Sequence, residues 1–387
     1  MNLDVVLFGG GIAGLWSLAR LQQQGYRALL FEHQALGQGQ SMAAQGIIHG
    51  GSKYSLTRNS RTVAALQQMP DVWRTCCAGT GILDLRGVRC CSTQQYLWTA
   101  PQRLASLSGR LAQHLIRSRI HRVSPADYPT AFRHPAFHGP LYQLEEPVLD
   151  THSLISTLAK QLAAHIYHLP HLPEIQYRHG RWHIHLPAGQ CLNSHSLVLA
   201  AGAGNEGLLH QLGRTLPRMQ RRPLHMLMLR GLLPDLYAHY LAGGVTPALT
   251  ITSQSIAGDA VVWYLGGEVA ETGITRTPGE QIAVGQAVLQ QALPWLKLAR
   301  MDWASLRIDR AEPQTEHRQR PGDVWLHAAS GLYTVWPTKL ALAPRLAEQL
   351  LAQLPPPAGY PAPLPLALPH PPIAHPIWQA VTWKTVS

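Results

Sequence analysis

The chain has 387 residues, 46% of them hydrophobic, and carries 32 Lys and Arg against 21 Asp and Glu, a formal net charge of +11. This size and apolar content exclude a disordered or fibrous protein and predict one large α/β body or two domains. Because no run approaches the ~20 apolar residues of a membrane span, we expect no integral membrane segment. The scattered basic residues argue against nucleic acid as a partner, which leaves an anionic ligand or loose contact with an anionic membrane to explain the charge.

The stretch from residue 3 to residue 32 predicts a strand, a glycine turn, a helix and a second strand. It starts with a short apolar run and no secretory signal, so we expect a cytoplasmic protein. Three glycines then fit the spacing G-x-G-x-x-G, which permits a tight turn and close approach of a pyrophosphate: Gly9, Gly11 and Gly14. Glu32 stands 18 positions after Gly14, where a carboxylate can accept both hydroxyls of a ribose. The unit therefore predicts a dinucleotide site, for NAD or FAD, in preference to an ordinary βαβ turn.

The next stretch, from Gly37 to Tyr54, is rich in glycine and contains the sequence GIIHGGSKY. Glycines let its backbone run close to a flat ring, and Ser41 offers a hydroxyl. The stretch resembles the second flavin-contact loop of the D-amino-acid oxidase and glycine oxidase superfamily, a branch of the glutathione-reductase-like flavoproteins. Its GIIHGGSKY portion is similar to FAD-linked glycerol-3-phosphate and L-2-hydroxyglutarate dehydrogenases. The resemblance implies FAD and an α/β fold, with a Rossmann-like FAD-binding domain and a substrate domain built on a mostly antiparallel β-sheet with covering helices.

The resemblance also implies how the chain is divided. The FAD-binding domain would comprise residues 1–84, 145–215 and 303–352, and the substrate-binding domain residues 85–144 and 216–302. Residues 353–387 would form a Pro-rich tail that wraps the body or contacts a partner. FAD contacts are implied for Gly9, Gly11, Ile12, Ala13, Gly14, Glu32, His33, Gln40, Ser41, Gln45, Gly46, Ile47, Ala201, Gly202, Gly331, Thr338, Lys339 and Leu340.

Periodicity and turn residues predict the remaining elements. Helices are expected over 55–80 with an interruption near Pro70, over 103–116, from Asp150 or Thr151, over 205–212, over 281–298, and from Pro337 through Leu351. Strands are expected within 87–99, near Ile166, and within 174–193, 196–204, 222–231, 246–255, 260–272 and 324–326.

Three residues are candidates for catalysis. The resemblance puts His49 near the flavin ring, as a polar neighbour, a base or a covalent attachment point; a histidine that only bonds the backbone is the alternative. Arg307 occupies the place of a carboxylate-binding arginine in glycine-oxidase-like sequences, with Arg310 as the nearest substitute and a structural ion pair as the alternative. Lys339 would strengthen the positive field of the helix start or contact the substrate, unless it faces solvent. Trp336 and Pro337 replace the glycine-rich turn that is usual in the family.

The resemblance implies an oxidase or dehydrogenase that passes a hydride from a small-molecule substrate to flavin N5, with oxygen or a quinone as electron acceptor. We expect oxidation of a C–N bond in an amine or amino acid, because a neutral nitrogen needs no strong base. Oxidation of a 2-hydroxy acid or a glycerol-3-phosphate-like alcohol, with His49 as base, is the second interpretation. A flavin-bearing partner protein without its own substrate chemistry is the third.

The five cysteines match neither a zinc knuckle nor a redox C-x-x-C motif. They are Cys76, Cys77, Cys90, Cys91 and Cys191. A flavin-dependent disulfide reductase would need a C-x4-C pair near the flavin loop, and no cysteine precedes Cys76. We therefore predict packed thiols and no metal site.

Overall fold

Two large β-sheets with helices around them appear in the computed structural model, which describes residues 1–51, 60–99, 120–243, 246–256, 258, 260–316, 319, 321–359 and 365–385. The helices are α1 (Ile12–Gln23), α2 (Ser60–Leu66), α3 (Met69–Cys77), α4 (Thr151–Gln161), α5 (Asn205–Gln211), α6 (Glu268–Glu271), α7 (Pro278–Ala292) and α8 (Ala343–Leu351). The strands are β1 (Asn2–Phe8), β2 (Ala28–Glu32), β3 (Cys90–Ser92), β4 (Gln95–Thr99), β5 (Ile120–Arg122), β6 (Leu141–Leu144), β7 (Val148–Leu149), β8 (Ile166–His168), β9 (Glu174–Arg178), β10 (Arg181–His185), β11 (Cys191–Leu199), β12 (Met219–Gly231), β13 (Ala238–Leu241), β14 (Leu249–Ser255), β15 (Val261–Gly266), β16 (Asp302–Pro313), β17 (Trp325–Ala329), β18 (Leu332–Trp336) and β19 (Lys384–Thr385).

Continuous apolar runs form the parallel part of the first sheet. Its order is β17-β18-β11-β1-β2-β8, and the hairpin of β9 and β10 extends it from β11. The pairs β18–β11, β11–β1, β1–β2 and β2–β8 are all parallel. Every residue of β1 after Asn2 is buried, as expected for a parallel strand that is covered on both faces. The predicted Rossmann-like half of the fold is confirmed.

Alternating strands form the second sheet, in the order β19-β16-β12-β15-β14-β13-β4-β6-β5. It is antiparallel except between β13 and β4, which confirms the predicted mostly antiparallel sheet. β16 pairs with β12 from Asp302 to Pro313. Residues 302–313 therefore belong to the second sheet, and the chain returns to the first sheet at β17. Sheet membership does not test the proposed division into domains, which stays a prediction.

Most predicted helices are present, and their starts follow local capping. Asp150 caps α4, where its side chain accepts a hydrogen bond from the Ser153 amide at 2.6 Å. The predicted interruption near Pro70 separates α2 from α3. α7 begins three residues before the predicted Gln281, because Thr277 and Glu280 form a capping box at its start. It ends at Ala292. The predicted helix at 103–116, residues 55–59 of the helix at 55–80 and residues 52–54 of the predicted flavin loop lie outside the described residues.

The predicted boundaries of two elements are wrong. The helix expected from Pro337 starts later: a short 3-10 turn at Leu340–Leu342 precedes α8. Thr338 has a left-handed backbone (φ 60°), so the chain turns before it can enter a helix. The strand expected over 260–272 ends at Gly266, where α6 follows.

The Pro-rich tail, described over residues 353–359 and 365–385, lies against the body. Ile373 forms a parallel bridge with Leu36, and the Pro369 carbonyl accepts a hydrogen bond from the His168 amide at 2.7 Å. Further along, β19 adds to the edge of β16. The tail thus contacts both sheets. Among the described residues, none of the helices combines the length and apolarity needed to cross a bilayer.

Candidate functional site

A cavity of about 1330 Å³ lies where the carboxyl ends of β1, β2 and β11 meet the face of β12 and β16. The carboxyl edge of a parallel sheet is where open α/β sheets bind ligands. Predicted site residues that line the cavity are Gly9, Gly11, Ile12, Ala13, Glu32, His33, Gln40, Ser41, Gln45, Gly46, Ile47, His49, Ala201, Gly202, Thr338, Lys339 and Leu340. Three predicted site residues are not in the lining: Gly14, Gly331 and Arg307.

The glycine turn packs backbone against backbone. A Cβ on Gly9, whose φ is +112°, would lie 2.5 Å from the Cα of Ala201. A Cβ on Gly14 would lie 1.9 Å from the Gly9 carbonyl oxygen. Gly14 therefore packs against the turn on the side away from the cavity, whereas Gly9 and Gly11 line the cavity. Only a residue without a side chain fits at either position.

Gly331 lies at the opposite edge of the first sheet. It precedes β18, which runs parallel to β11, so it belongs to the amino edge rather than the carboxyl edge. Its carbonyl accepts a hydrogen bond from Trp182 Nε1 at 3.1 Å. The turn that reaches the cavity is the one after β18, through Val335 and Pro337.

Glu32 is buried at the end of β2 and organises the backbone around it. One carboxylate oxygen accepts a hydrogen bond from the Gly10 amide at 2.6 Å. The other accepts from the amides of His33 and Gln34 at 2.8 and 2.9 Å. The acid that the sequence assigns to a ribose thus also fixes the two loops that border the cavity.

The predicted flavin loop is tied to the rest of the cavity wall. Ser41 Oγ accepts a hydrogen bond from the Ile12 amide at 2.9 Å. Gln45 Nε2 donates to the Tyr264 carbonyl at 2.9 Å, and the Tyr264 hydroxyl donates to the Ala43 carbonyl at the same distance. Burial raises the pKa of the Tyr264 hydroxyl above its usual range, so it stays protonated and keeps this donor role. The loop is therefore held to both sheets.

His49 lies at the end of this loop and pairs with a buried carboxylate. Its Nδ1 is 3.1 Å from Glu146 Oε2. Glu146 Oε1 accepts a hydrogen bond from the Gly50 amide at 2.9 Å. On another side, the ring of His239 has its centroid 6.3 Å from that of His49, and its Nδ1 bonds Thr250 Oγ1 at 3.0 Å. His49 is thus in a polar cluster and not bonded to the backbone alone.

Strand alternation decides which arginine faces the cavity. Leu224, Met226 and Ile308 line it, and so do Arg222 and Arg310, which are register partners. Arg307 is an odd number of residues from Arg310 and faces the other side of the sheet. There its guanidinium donates to the carbonyls of Ile274 and Arg276. The structure therefore brings Arg310, the substitute, to the cavity, and not Arg307.

The two cavity arginines have different carboxylate neighbours. Arg222 makes a bidentate pair with the buried Glu312, at 2.7 and 3.1 Å. Arg310 Nη2 is 3.4 Å from Glu271, whose side chain is 45% exposed. An exposed pair is worth little, so the ion pair of Arg310 with Glu271 is weaker than that of Arg222 with Glu312.

Lys339 is buried, contrary to the solvent-facing alternative. Its ammonium nitrogen is 3.5 Å from the Pro321 carbonyl oxygen. Neighbouring residues fix the same turn: Trp336 Nε1 donates to the Gly202 carbonyl at 3.1 Å, and Thr338 Oγ1 donates to the Asp323 carbonyl at 3.0 Å. Trp336 thus replaces the expected glycine-rich turn by a link to the turn after β11.

Comparison with known proteins agrees with this geometry. The sequence pattern of the family described as FAD dependent oxidoreductase (DAO) matches residues 4–335. A curated relative from Pseudomonas aeruginosa, described as a probable FAD-dependent oxidoreductase, is 42% identical over 391 residues, which cover 98% of each chain.

The chain belongs to the DAO family of FAD-dependent oxidoreductases.

Solved structures share this fold. The crystal structure of the FAD dependent oxidoreductase from Pseudomonas aeruginosa superposes with a TM-score of 0.85 at 37% identity, over 98% of both chains. Glycine oxidase from Geobacillus kaustophilus has a TM-score of 0.66 at 18% identity, over 91% of this chain and 94% of that one. L-alpha-glycerophosphate oxidase from Mycoplasma pneumoniae, solved with FAD bound, has a TM-score of 0.66 at 14% identity, over 92% and 95%. FAD is therefore the cofactor of this DAO family member.

The cavity fits FAD on its own evidence. Where the glycine turn meets the turn after β11, glycine and alanine form the lining, so an extended ligand can approach the backbone itself. The first residues of α1, Ile12 and Ala13, line this region, and the start of a helix favours a pyrophosphate. The lining then continues without interruption to His49 and Arg310.

Sequence reasoning missed several residues that shape the site. Glu146 gave no signal, since an acid before Pro147 is unremarkable in sequence. Asn205 is buried, and its amide links the Ala201 amide at 2.8 Å to the Val335 carbonyl at 3.2 Å. Its position at the start of the helix predicted over 205–212, directly after the small residues 200–204, is the one hint that the sequence offered.

The cysteines remain as thiols in the structure. Burial raises the pKa of Cys77 to about 11 and that of Cys91 to about 12, so neither is a reactive thiolate at neutral pH. Within the described parts of the chain, no three His, Cys, Asp or Glu side chains are grouped to hold a metal ion.

Proposed function

We propose that the protein oxidises the C–N bond of a small amine or amino acid that carries a carboxylate. The observation that supports this most is the position of Arg310 in the cavity, beside Leu224, Met226 and Ile308. A guanidinium fork matches a carboxylate with two charge-assisted hydrogen bonds, each worth about 1.5–3 kcal/mol. The apolar neighbours exclude water and strengthen that interaction.

Each cavity residue has a distinct part in this proposal. FAD, when bound, supplies the centre that accepts two electrons and a proton as a hydride. Arg310 would anchor the substrate carboxylate, and the side chains of Leu224 and Met226 would hold its carbon skeleton. Lys339, a buried cation in the lining, would add positive potential to the site.

Our preference for oxidation of a C–N bond over oxidation of an alcohol is supported by the names of proteins with the same fold. Glycine oxidase and an L-amino acid deaminase from Proteus vulgaris are named for amino acids, whereas L-alpha-glycerophosphate oxidase is named for an alcohol. Because these likenesses show only the fold, the choice must be made by experiment.

Anaerobic reduction of the bound flavin distinguishes the candidates. We expect glycine, L-proline or iminodiacetate to bleach the flavin absorbance of the holoenzyme, and lactate, 2-hydroxyglutarate and glycerol 3-phosphate to leave it unchanged. Bleaching by the hydroxy compounds alone would replace our proposal with alcohol oxidation. No bleaching by either class would favour a flavin-bearing partner protein. Reoxidation with dioxygen or with a soluble quinone then identifies the class of electron acceptor.

Alcohol oxidation is the second candidate because His49 is backed by Glu146. An alcohol must lose its hydroxyl proton when the hydride leaves, and a carboxylate-supported imidazole is suited to take it. The same pair would also serve an amine that enters as an ammonium ion.

A further inference from the structure

A buried carboxylate contacts two consecutive residues of the flavin loop. Glu146 is 2% exposed, and its two oxygens bond the His49 imidazole at 3.1 Å and the Gly50 amide at 2.9 Å. A carboxylate can only accept, so the Nδ1 atom of His49 must carry the proton in this bond. The other ring nitrogen, Nε2, is then an acceptor, and His49 is a residue that lines the cavity.

The loop does not depend on Glu146 for its position. The Ile48 amide donates to the Pro147 carbonyl, and the Leu149 amide donates to the Gly46 carbonyl, both at 2.9 Å. Ile47 and Val148 form an antiparallel bridge between the same two segments. A Cβ on Gly46 would lie 1.9 Å from the Leu149 carbonyl oxygen, so the backbones are in direct contact. What the carboxylate adds is the orientation and tautomer of the imidazole.

We propose that Glu146 is a positioning residue, which holds His49 with Nδ1–H toward the carboxylate and Nε2 ready to take the proton that the substrate loses. The proposal rests on the oxidation proposed above. A substrate ammonium gives one proton to His49 Nε2 and becomes a neutral amine. The nitrogen lone pair can then form the C=N bond as a hydride leaves the carbon, and FAD, when bound, would accept that hydride. His49 afterwards releases its proton to water.

The other groups around His49 fit this arrangement. His239 on β13 faces the imidazole at a ring distance of 6.3 Å and is itself held by Thr250 of β14, a cavity-lining residue. The imidazole is thus bordered by a carboxylate from one segment and a histidine from the second sheet. The His49 side chain is 13% exposed, so part of the imidazole is accessible from the cavity and can pass its proton to water there.

The tautomer can be tested without a substrate. Holoenzyme labelled with ¹⁵N-histidine is compared by NMR for the wild type and for Glu146→Gln, with His49→Gln used to assign the signal. We expect Nδ1 protonated in the wild type and Nε2 protonated in Glu146→Gln, because the amide NH2 donates to Nδ1. Glu146→Asp, which retains a carboxylate, should keep the wild-type tautomer. The same tautomer in the wild type and in Glu146→Gln would overturn the proposal.

The kinetic test needs a matched control. Glu145 is the adjacent acid and is 38% exposed, so Glu145→Gln makes the same chemical change outside the cluster. With iminodiacetate and L-proline as electron donors, we expect Glu146→Gln to lower kcat by ~100-fold with KM nearly unchanged, and Glu145→Gln to lower neither. Bound FAD per chain and the unfolding midpoint should stay at wild-type values in both variants. A loss of FAD in Glu146→Gln and Glu146→Asp alike would show a structural role and sink the proposal.

Rescue separates positioning from general disruption. His49→Ala should be partly reactivated by free imidazole, which can occupy the vacated space against Glu146. The double variant His49→Ala/Glu146→Gln should not be rescued, and equal rescue of both would contradict the proposal. If no donor reduces the flavin of the wild type, the proposed function fails, while the NMR result still decides the role of Glu146.

Discussion

The cofactor part of the cavity is built from residues that follow one another in the chain, whereas the proposed substrate part is built from residues that strand pairing brings together. Gly9 to Ala13 belong to one turn, and Glu32 closes the same βαβ unit. Arg222 and Arg310, by contrast, meet through the register of β12 and β16. A local motif therefore specifies the cofactor part. In the proposed substrate part, a one-residue change of strand register would turn the side chains of the strand to the other face of the sheet.

The first prediction tests the cofactor part by adding a side chain to the glycine turn. Gly14→Val should abolish FAD binding and lower the free energy of unfolding by about 3 kcal/mol or more, because its Cβ would lie 1.9 Å from the Gly9 carbonyl oxygen. Bound flavin after gel filtration and urea unfolding measure the two effects. Gly279→Ala is the control, since a Cβ there meets nothing within 4 Å. Normal flavin content in Gly14→Val would refute the tight packing of this turn.

The second prediction concerns strand register. Arg310→Gln should raise the KM of a carboxylate-bearing substrate by roughly 10- to 100-fold with FAD retained, since it removes charge-assisted hydrogen bonds. Arg307→Gln should change KM by less than about 2-fold, because Arg307 bonds the carbonyls of Ile274 and Arg276 on the other face. Steady-state kinetics compares the variants. The opposite ranking would mean that β16 presents its other face to the ligand.

The third prediction tests a residue that joins two turns. Asn205→Ala should lower the free energy of unfolding by about 1.5 kcal/mol and weaken FAD binding several-fold, because the Ala201 amide and the Val335 carbonyl lose buried partners. Asn193→Ala is a fair control, since its 3.4 Å bond to Asn2 is exposed. Urea unfolding and flavin fluorescence during FAD titration give the two numbers. Equal effects of the two variants on unfolding and on FAD binding would show that Asn205 has no specific role in the cofactor part of the cavity.

The smallest expected effect lies away from the cavity. Thr277→Ala removes the N-cap of α7 and should cost about 1 kcal/mol in unfolding free energy. FAD content and KM should not change, because neither Thr277 nor Glu280 lines the cavity. Thermal unfolding checks the first statement, and kinetics the second. An altered KM would show that α7 transmits strain to β12 and β16.

This difference explains how far the sequence could predict the protein. The glycine spacing, Glu32 and the flavin loop are contiguous patterns, so the fold, FAD and the part of the cavity lining beside these patterns were predictable. Arg307 was a reasonable choice by position, but the face of a strand depends on its partner, and nothing in β16 alone indicates it. Glu146 was invisible because its partner, His49, lies almost a hundred residues earlier in the chain.

Lys339 and Gly331 show the same limit for two further predictions. A lysine near a predicted helix start is ordinarily exposed, whereas Lys339 is buried in the turn that Trp336 links to Gly202. For Gly331, the resemblance to the D-amino-acid oxidase superfamily implied a flavin contact. Whether a turn lies at the amino or the carboxyl edge of a sheet depends on strand direction, and β18 runs away from Gly331 toward the cavity.

The order of strands in the first sheet also sets when the cofactor site can exist. β1 lies between β2 and β11, and the cavity is completed by the turn after β18. During synthesis Gly9 therefore leaves the ribosome long before Trp336 and Lys339, by a delay on the order of tens of seconds at typical rates. A growing chain has no complete FAD site over that interval. Capture of FAD is thus a step that follows synthesis of nearly the whole chain, and a shortage of FAD would act on finished molecules.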